Sequence, residues 1–572
     1  MPDYSRRRFL RYGLGAGAAI GFPVTGGRVM KAGRVADAGQ DGVAGHTLRP
    51  FVESLPVPGA GIVVASPRAP GRYAFTLRQI RRQLHPQLPP TRLWAYDDGS
   101  GLRGQAGSFG MAIVARTGTP LRVSYTHHLP VVYPSWIPVD TRLTESGKKV
   151  RFLTHLHGGF VSGASDGNPE LQPGGFGPGQ TQTVLYPNEG PQQSARLMWF
   201  HDHVDGVTRL NVFAGLAAAY IVRDSHDTGA EPNPAGLPGG SYEIPLVIQD
   251  RQFNRDGTFR YPVSDIAGVT WIGEYFGDVM LVNGKVWPYL EVEPRLYRFR
   301  VLNGCNARIM SLDFGQAPVW QIAAEGQMWD RPVRMGQLVL APAERADIIV
   351  DFSGLAASTL TLVNHVPAAP VSTPAPPLPA VMQFRVGRKV TRPGPRHIPA
   401  RLPGRAARLP APSVTRFITL NEVAPQTPRW FLNLNAVHFG ETFQKPGAGA
   451  VEDWVYVNLT ADTHPMHLHL VNFQVVGRTP FDAGAYAKAH GGPEGVPGGI
   501  DPAPFATGPM EPPTAAERGF KDTAKANPGY FNTIRAKFDL PRGVTAPQTY
   551  VHHCHILEHE DNDMMQPFIV VP

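Results

Sequence analysis

Cysteine is nearly absent. The 572 residues include only Cys305 and Cys554, which excludes a disulfide framework and allows one bridge at most. Charge is sparse as well. Asp, Glu, Lys and Arg make up 17% of the chain, less than long surface helices or a coiled coil would carry. Long amphipathic helical stretches are missing. No apolar run suffices for a membrane helix: the best candidate, Tyr12 to Gly27, is short and rich in glycine.

Glycine and proline are abundant instead. The 62 Gly and 58 Pro residues total 120 of 572, well above the roughly 12% of average usage. Apolar residues still reach 42%, so the chain is neither disordered nor collagen-like. Short strands joined by many turns fit this composition. Tyr297 to Asn303 alternates with a period of two, as does Phe417 to Leu420 with its flanks.

Gly/Pro-rich segments mark the joints. Asp227 to Gly240 reads as a first linker. Val366 to Pro379 and the basic, proline-rich Gly387 to Pro412 read as a second, interrupted by a strand-like Met382–Val386. The expected units are 46–229, 241–388 and 413–572, with 389–412 as a linker. Each has a common size for a β-sandwich or barrel.

The net charge of +8 is uneven: residues 1–38 hold seven Lys/Arg and two acids, or +5, leaving +3 for the rest. A nucleic-acid binder would concentrate a basic stripe in its body, so charge makes no case for a nucleic-acid partner. Ser5-Arg6-Arg7-Arg8-Phe9-Leu10, the mild apolar run and Ala36-Asp37-Ala38 stand in the order of a twin-arginine signal with its cleavage site. Residues 1–38 are therefore expected to be a signal peptide read by the twin-arginine (Tat) export machinery. The expected product is a soluble monomer without a membrane span, in the periplasm, the cell envelope or the extracellular space.

Ten of the 20 histidines fall into four clusters: His155-Leu-His157; His201-Asp-His203; His464-Pro-Met-His467-Leu-His469; and His553-Cys554-His555 with His559. A single H-x-H on a strand puts two imidazoles on one face and means little. Four such pairs invite convergence on a cluster of several metals. In the last run, strand alternation points His553 and His555 to one side and Cys554 to the other, so one stretch would touch two sites back to back. Cys554, His464, His559 and a late methionine form the ligand set of a blue-copper site. Zinc has no use for an axial methionine.

These clusters, with Trp199-Phe200 before the second and Ile556-Leu557-Glu558 within the last, resemble the four copper motifs of multicopper oxidases, in the family's order. The resemblance is closest to the bacterial spore-coat laccase and bilirubin-oxidase branch. Thr208–Val212, Leu281–Leu290 and the tail Glu560–Met565 support it, and it covers nearly all of 46–572. It implies an all-β fold of three consecutive cupredoxin-like Greek-key sandwich or barrel domains. It also implies four copper ions. His464, Cys554 and His559 resemble type 1 ligands, with Met564 axial and Met565 as the alternative. His155 and His467 resemble type 2 ligands. His157, His201, His203, His469, His553 and His555 resemble the ligands of the type 3 pair. The implied activity is one-electron oxidation of a small phenolic or bilirubin-like donor, four electrons reducing dioxygen to two waters. Asp166 and Glu560 match acids that this branch keeps near the cluster for the accompanying protons.

Three residues depart from the pattern. Cys305 is left without a partner and is expected to be a buried spectator. His552 replaces a large aromatic and is expected to pack near the blue site. Asp205 stands where small or apolar residues are usual. Among alternatives, oxidation of Cu(I) or Mn(II) on the same scaffold lacks the methionine-rich insert of cuprous oxidases. A copper-free structural or division protein would lack the ligands, and a two-domain nitrite reductase would not need four H-x-H pairs.

Overall fold

Strand alternation becomes sheet burial in a simple way. In Leu121–His128, Leu121, Val123, Tyr125 and His127 are buried while Arg122 and His128 face solvent. The computed structural model describes residues 42–572 apart from 101–109, 191–193, 265–268, 406, 424–430, 435–438, 441, 443 and 492–496. The signal read in residues 1–38 lies outside it.

Three successive stretches each build two sheets. Residues 57–223 form a six-stranded and a four-stranded sheet, 243–386 a seven- and a five-stranded sheet, and 414–570 a five- and a four-stranded sheet. Each stretch includes strands paired in parallel, among them Met111–Arg116 with Ala217–Arg223, Glu243–Arg251 with Leu296–Asn303, and Val414–Val423 with Val451–Asn458. Parallel neighbours need a crossover, and its repetition gives three all-β sandwiches of one Greek-key type. Helices are short: Thr208–Ala214, Ala483–His490 and Leu557–Glu560 are the α-helices among the described residues. None of the described helices is long and apolar enough to cross a membrane.

The first and third sandwiches meet through buried polar contacts. The Asp561 carboxylate, at the end of Leu557–Glu560, accepts from the Thr208 and Arg209 backbone N–H groups (2.9 and 3.0 Å) and from the Arg209 guanidinium (2.8 Å). Asp227, read from sequence as linker, is also buried. Its carboxylate accepts from Arg298 (2.9 and 2.8 Å) and Arg300 (2.8 Å) on a strand of the middle sandwich. Glu243 joins the same cluster through Arg300 and Arg223. Burial alone would raise the Glu243 carboxyl, but Arg300, Arg298 and Arg223 outweigh it and hold it at about 2. Asp227 is likewise held below its ordinary value. Depressed carboxylates contribute stability that is complete above their unfolded values and lost as pH falls towards the folded ones. The melting temperature should therefore be flat near neutrality and fall below about pH 4, the model carboxylate range. A scan from pH 7 to pH 2.5 with no added loss for the wild type over Asp227→Asn would contradict this.

Candidate metal centre

Two pairs of antiparallel strands bring the histidine clusters together. Thr154–His157 lies beside Arg196–Asp202 with His155 opposite His201. His464–Leu468 lies beside Gln548–Cys554 with His467 opposite His553 and Met466 opposite Cys554. His203, His469 and His555 stand just past their strand ends. All eight H-x-H imidazoles are at most 1% exposed.

Six of them engage their outer nitrogens. His155, His201 and His467 donate from Nδ1 to the carbonyls of Asp166 (2.5 Å), Asp202 (2.9 Å) and Asp522 (2.7 Å). His469 Nδ1 donates to Asp166 Oδ2 (2.8 Å), and His553 Nδ1 to the Cys554 carbonyl (3.1 Å). His157 is turned round, donating from Nε2 to Asp522 Oδ1 (3.1 Å). Each bond fixes a tautomer and leaves the opposite nitrogen as a lone pair.

Those opposite nitrogens converge without partners. His155 Nε2, His157 Nδ1, His201 Nε2, His467 Nε2 and both nitrogens of His555 are buried and unbonded. His553 Nε2 lies 3.3 Å from His203 Nε2 and 3.2 Å from His469 Nε2. Three overlapping triads are close enough to share an ion: His155, His467 and His469; His155, His157 and His201; and His203, His469 and His553. Burial, then mutual repulsion, holds His155, His157 and His469 well below the ordinary imidazole value. Protonation is thus no remedy for the converging lone pairs, and bound cations are.

Across the strand lies a second group. Cys554 Sγ is 3.5 Å from His464 Nδ1 and 3.8 Å from His559 Nδ1, and those two nitrogens are 3.2 Å apart. The Ile556 N–H donates to the sulfur at 3.4 Å. Met564 is fully buried in the apolar cluster that holds Cys554, and its carbonyl accepts from the Cys554 N–H (2.9 Å). Met565 instead starts the strand Met565–Val570 opposite His553. One thiol and two imidazoles, with a buried methionine hydrogen-bonded through its backbone to the same cysteine, suit copper.

Over 552 residues the chain is 36% identical to a laccase of Bacillus stratosphericus, covering 92% of this chain and 99% of that one. The chain belongs to the multicopper oxidases. A laccase of Haloferax volcanii is 34% identical, over 100% of this chain and 91% of its own. Residues 411–572 match the multicopper oxidase family model. Among solved structures, the McoA multicopper oxidase of Aquifex aeolicus superposes with a TM-score of 0.69 at 25% identity, covering 91% of this chain and 99% of that one. This oxidase is accordingly a laccase-like oxidoreductase with dioxygen as acceptor, and copper is its family's metal. The unpartnered inward nitrogens and the Cys554 group fit that metal.

The acids expected from sequence flank the histidines of this oxidase. Asp166 is fully buried and braces two of them, His155 by its carbonyl and His469 by its carboxylate; burial pushes its carboxyl well up. Glu560 Oε2 lies 3.1 Å from His553 Nδ1, and Oε1 3.6 Å from His203 Nδ1. Burial raises it to about 7, against the pull of His203. Half-buried Asp205 adds its repulsion to the same carboxyl.

Other contributors carried no sequence signal. Asp522 serves both His157 and His467, and the Arg345 guanidinium of the middle sandwich donates to both its oxygens (2.7 and 2.6 Å). Thr460 Oγ1 lies 2.7 Å from His464 Nε2. Glu422 Oε1 is 3.8 Å from His464 Nε2 and 3.9 Å from His559 Nε2. Cys305 is a buried free thiol, and His552 packs against Trp454 at 5.1 Å between ring centroids.

Proposed function

We propose that this oxidase draws single electrons from phenolic or bilirubin-like donors, and that His464, Cys554, His559 and axial Met564 would hold a type 1 copper beside which the donor binds. His155 and His467 would hold type 2 copper, and His157, His201, His203, His469, His553 and His555 the type 3 pair, four ions in all. The observation that carries the reading is the run His553-Cys554-His555, whose neighbouring side chains serve two separate groups of donors. Bound copper supplies one-electron transfer at the Cys554 site and reduction of dioxygen to two waters at the histidine cluster.

The chain's residues do the rest. Cys554 and its two neighbours link the sites covalently over a single strand end. Asp166, Asp202 and Asp522 orient imidazoles through their outer N–H groups. Asp166 and Glu560, beside His469 and His553, are the groups placed to hand protons to the cluster. The buried walls exclude bulk water from both sites. Division at 46–229, 241–388 and 413–572 with a 389–412 linker belongs to the same reading, as does a monomeric state.

Oxygen uptake by the copper-loaded protein, with a phenol, bilirubin, Cu(I) and Mn(II) compared in parallel, tests the substrate class; no uptake with either organic donor would reject it. A second reading has its own observation. Glu422 lies beside His464 and His559, and burial first, then repulsion from Asp462, pushes its carboxyl up to about 8, so a metal cation, Cu(I) or Mn(II), that displaced its proton would gain a carboxylate at the donor edge. Under it, Glu422→Gln lowers uptake with the cations and spares the phenol.

Met564→Leu should keep copper but raise the type 1 potential, because a weak axial thioether stabilises the oxidised ion. A redox titration in which Met565→Leu moves the potential and Met564→Leu does not would reassign the axial ligand. Export by the twin-arginine route to the periplasm or cell exterior also belongs here. Replacing Arg6 and Arg7 together by lysine should retain the oxidase inside the cell, and unchanged enzyme outside the membrane on fractionation would refute it.

A further inference from the structure

Between the second and third sandwiches, residues 387–412 run with no strand or helix among the described positions. This strap holds six arginines, one lysine and no acid. Its apolar residues face the protein: Leu402 is buried and Ile398 packed in a cluster with Leu237, Leu296 and Met328. Its backbone is pinned. The Leu402 N–H donates to the Asp330 carbonyl (2.9 Å) and the Gly404 N–H to that of Trp329 (3.1 Å). The Leu409 N–H donates to Gln474 Oε1 (2.9 Å), and Gln327 Nε2 to the Arg405 carbonyl (3.0 Å). Gly404 lies too close to the Met328 carbonyl for any side chain. All seven cations are exposed, and none is ion-paired among the described residues.

The strap is thus a fixed row of unneutralised positive charge. Residues 1–38 carry +5 and the strap +7, so the remaining residues sum to −4 of the chain's +8. Folding that needed these charges only for solubility would have no reason to gather them on one pinned segment.

We propose that the strap is a docking surface for a linear polysaccharide bearing carboxylates, holding the oxidase on an anionic matrix outside the cell. That location rests on the export reading above; the binding itself does not. Guanidinium forks match carboxylates in two-point contact. At about 3.1 Å per residue for an extended proline-rich chain, cations three to five residues apart sit roughly 9–16 Å from one another. Cations at this spacing can each meet a separate carboxylate along an extended polymer. The strap also has no Phe, Trp or Tyr on which bases could stack. Val390 is its one large exposed hydrophobe, too little to enter a bilayer.

The test uses copper-loaded full-length protein and a variant with Arg396, Arg401, Arg405 and Arg408 all changed to glutamine. Residues 1–38 are common to both and cancel in the comparison. Binding to alginate, a polyuronate, is measured over a range of salt, beside a single-stranded oligonucleotide and vesicles of phosphatidylglycerol in phosphatidylcholine. The wild type should bind alginate with a steep salt dependence. The variant should bind at least tenfold more weakly with a shallower slope, while its oxygen uptake with a phenol is unchanged. Equal alginate affinities, or no binding by the wild type, would overturn the proposal. So would tighter binding to the oligonucleotide or the vesicles than to alginate. Binding is read without turnover, so loss of oxygen uptake in both proteins would count against the oxidase reading alone.

Discussion

Cys554→Ser should leave a folded, colourless protein that holds one copper fewer and takes up no oxygen with a phenol. Serine is a hard, poorly ionised donor and cannot replace a thiolate at a blue-copper site. The side chain is fully buried between His464 and His559, so the change is nearly isosteric and the fold should survive. His553 and His555 point the other way and keep their contacts with the histidine cluster. Three coppers should therefore remain, with the electron entry gone. Metal analysis, visible absorption and oxygen uptake on one preparation decide the matter. A blue mutant, or a folded one that has lost all its copper, would show that His553-Cys554-His555 does not serve two sites.

Asp522→Ala should strip copper from the histidine cluster and weaken the fold at the same time. It removes the acceptor that keeps His157 in its inverted tautomer. Loss of such an outer partner typically weakens metal binding 10–100-fold. It also leaves the Arg345 guanidinium buried and unpaired, and breaking a buried pair from one side costs about 3–5 kcal/mol. Burial would raise the Asp522 carboxyl, but Arg345 outweighs it and keeps it ionised, so the pair is a charged one. Asp522→Asn retains one acceptor oxygen and should recover part of the copper. The fold effect is read from the melting of copper-free protein and the copper effect from ions bound per chain. Full copper with unchanged melting in the alanine variant would remove Asp522 from the site.

What could be read from the sequence was whatever a strand's period of two writes locally. H-x-H repeats put their rings on one face, and the structure brings all eight together. Cys554 stands opposite to its neighbours for the same reason, and the Gly/Pro content with alternating runs yields the all-β sandwiches. What could not be read came from pairing across distance. Asp522 reaches His157 over 365 residues, and nothing around Lys521-Asp522-Thr523 marks it. Thr460 and Glu422 are single polar letters whose meaning depends on where His464 ends up. Asp227 read as linker because glycine and proline surround it, yet its carboxylate is held by arginines 71 and 73 residues away. Local composition is blind to such partners. It also treated the basic residues of 387–412 as spacer, because inward Leu402 and outward arginines differ only in the folded chain.

The placement of the histidines has a consequence for when the protein can be metallated. Half of the H-x-H pairs lie between residues 155 and 203 and half between 464 and 555, and each triad that includes His469 or His553 draws on both. No triad of that kind exists on a ribosome-bound chain until His469 and His553 have been synthesised and folded back onto the first sandwich. A nascent chain halted before the third sandwich therefore offers at most the triad of His155, His157 and His201, and loading of the whole cluster has to follow synthesis of almost the entire polypeptide. A donor that fills the triads containing His469 or His553 would meet a finished protein whose lone pairs already face inward, so that step of maturation is delivery of ions through a closed wall and not assembly of the wall around them.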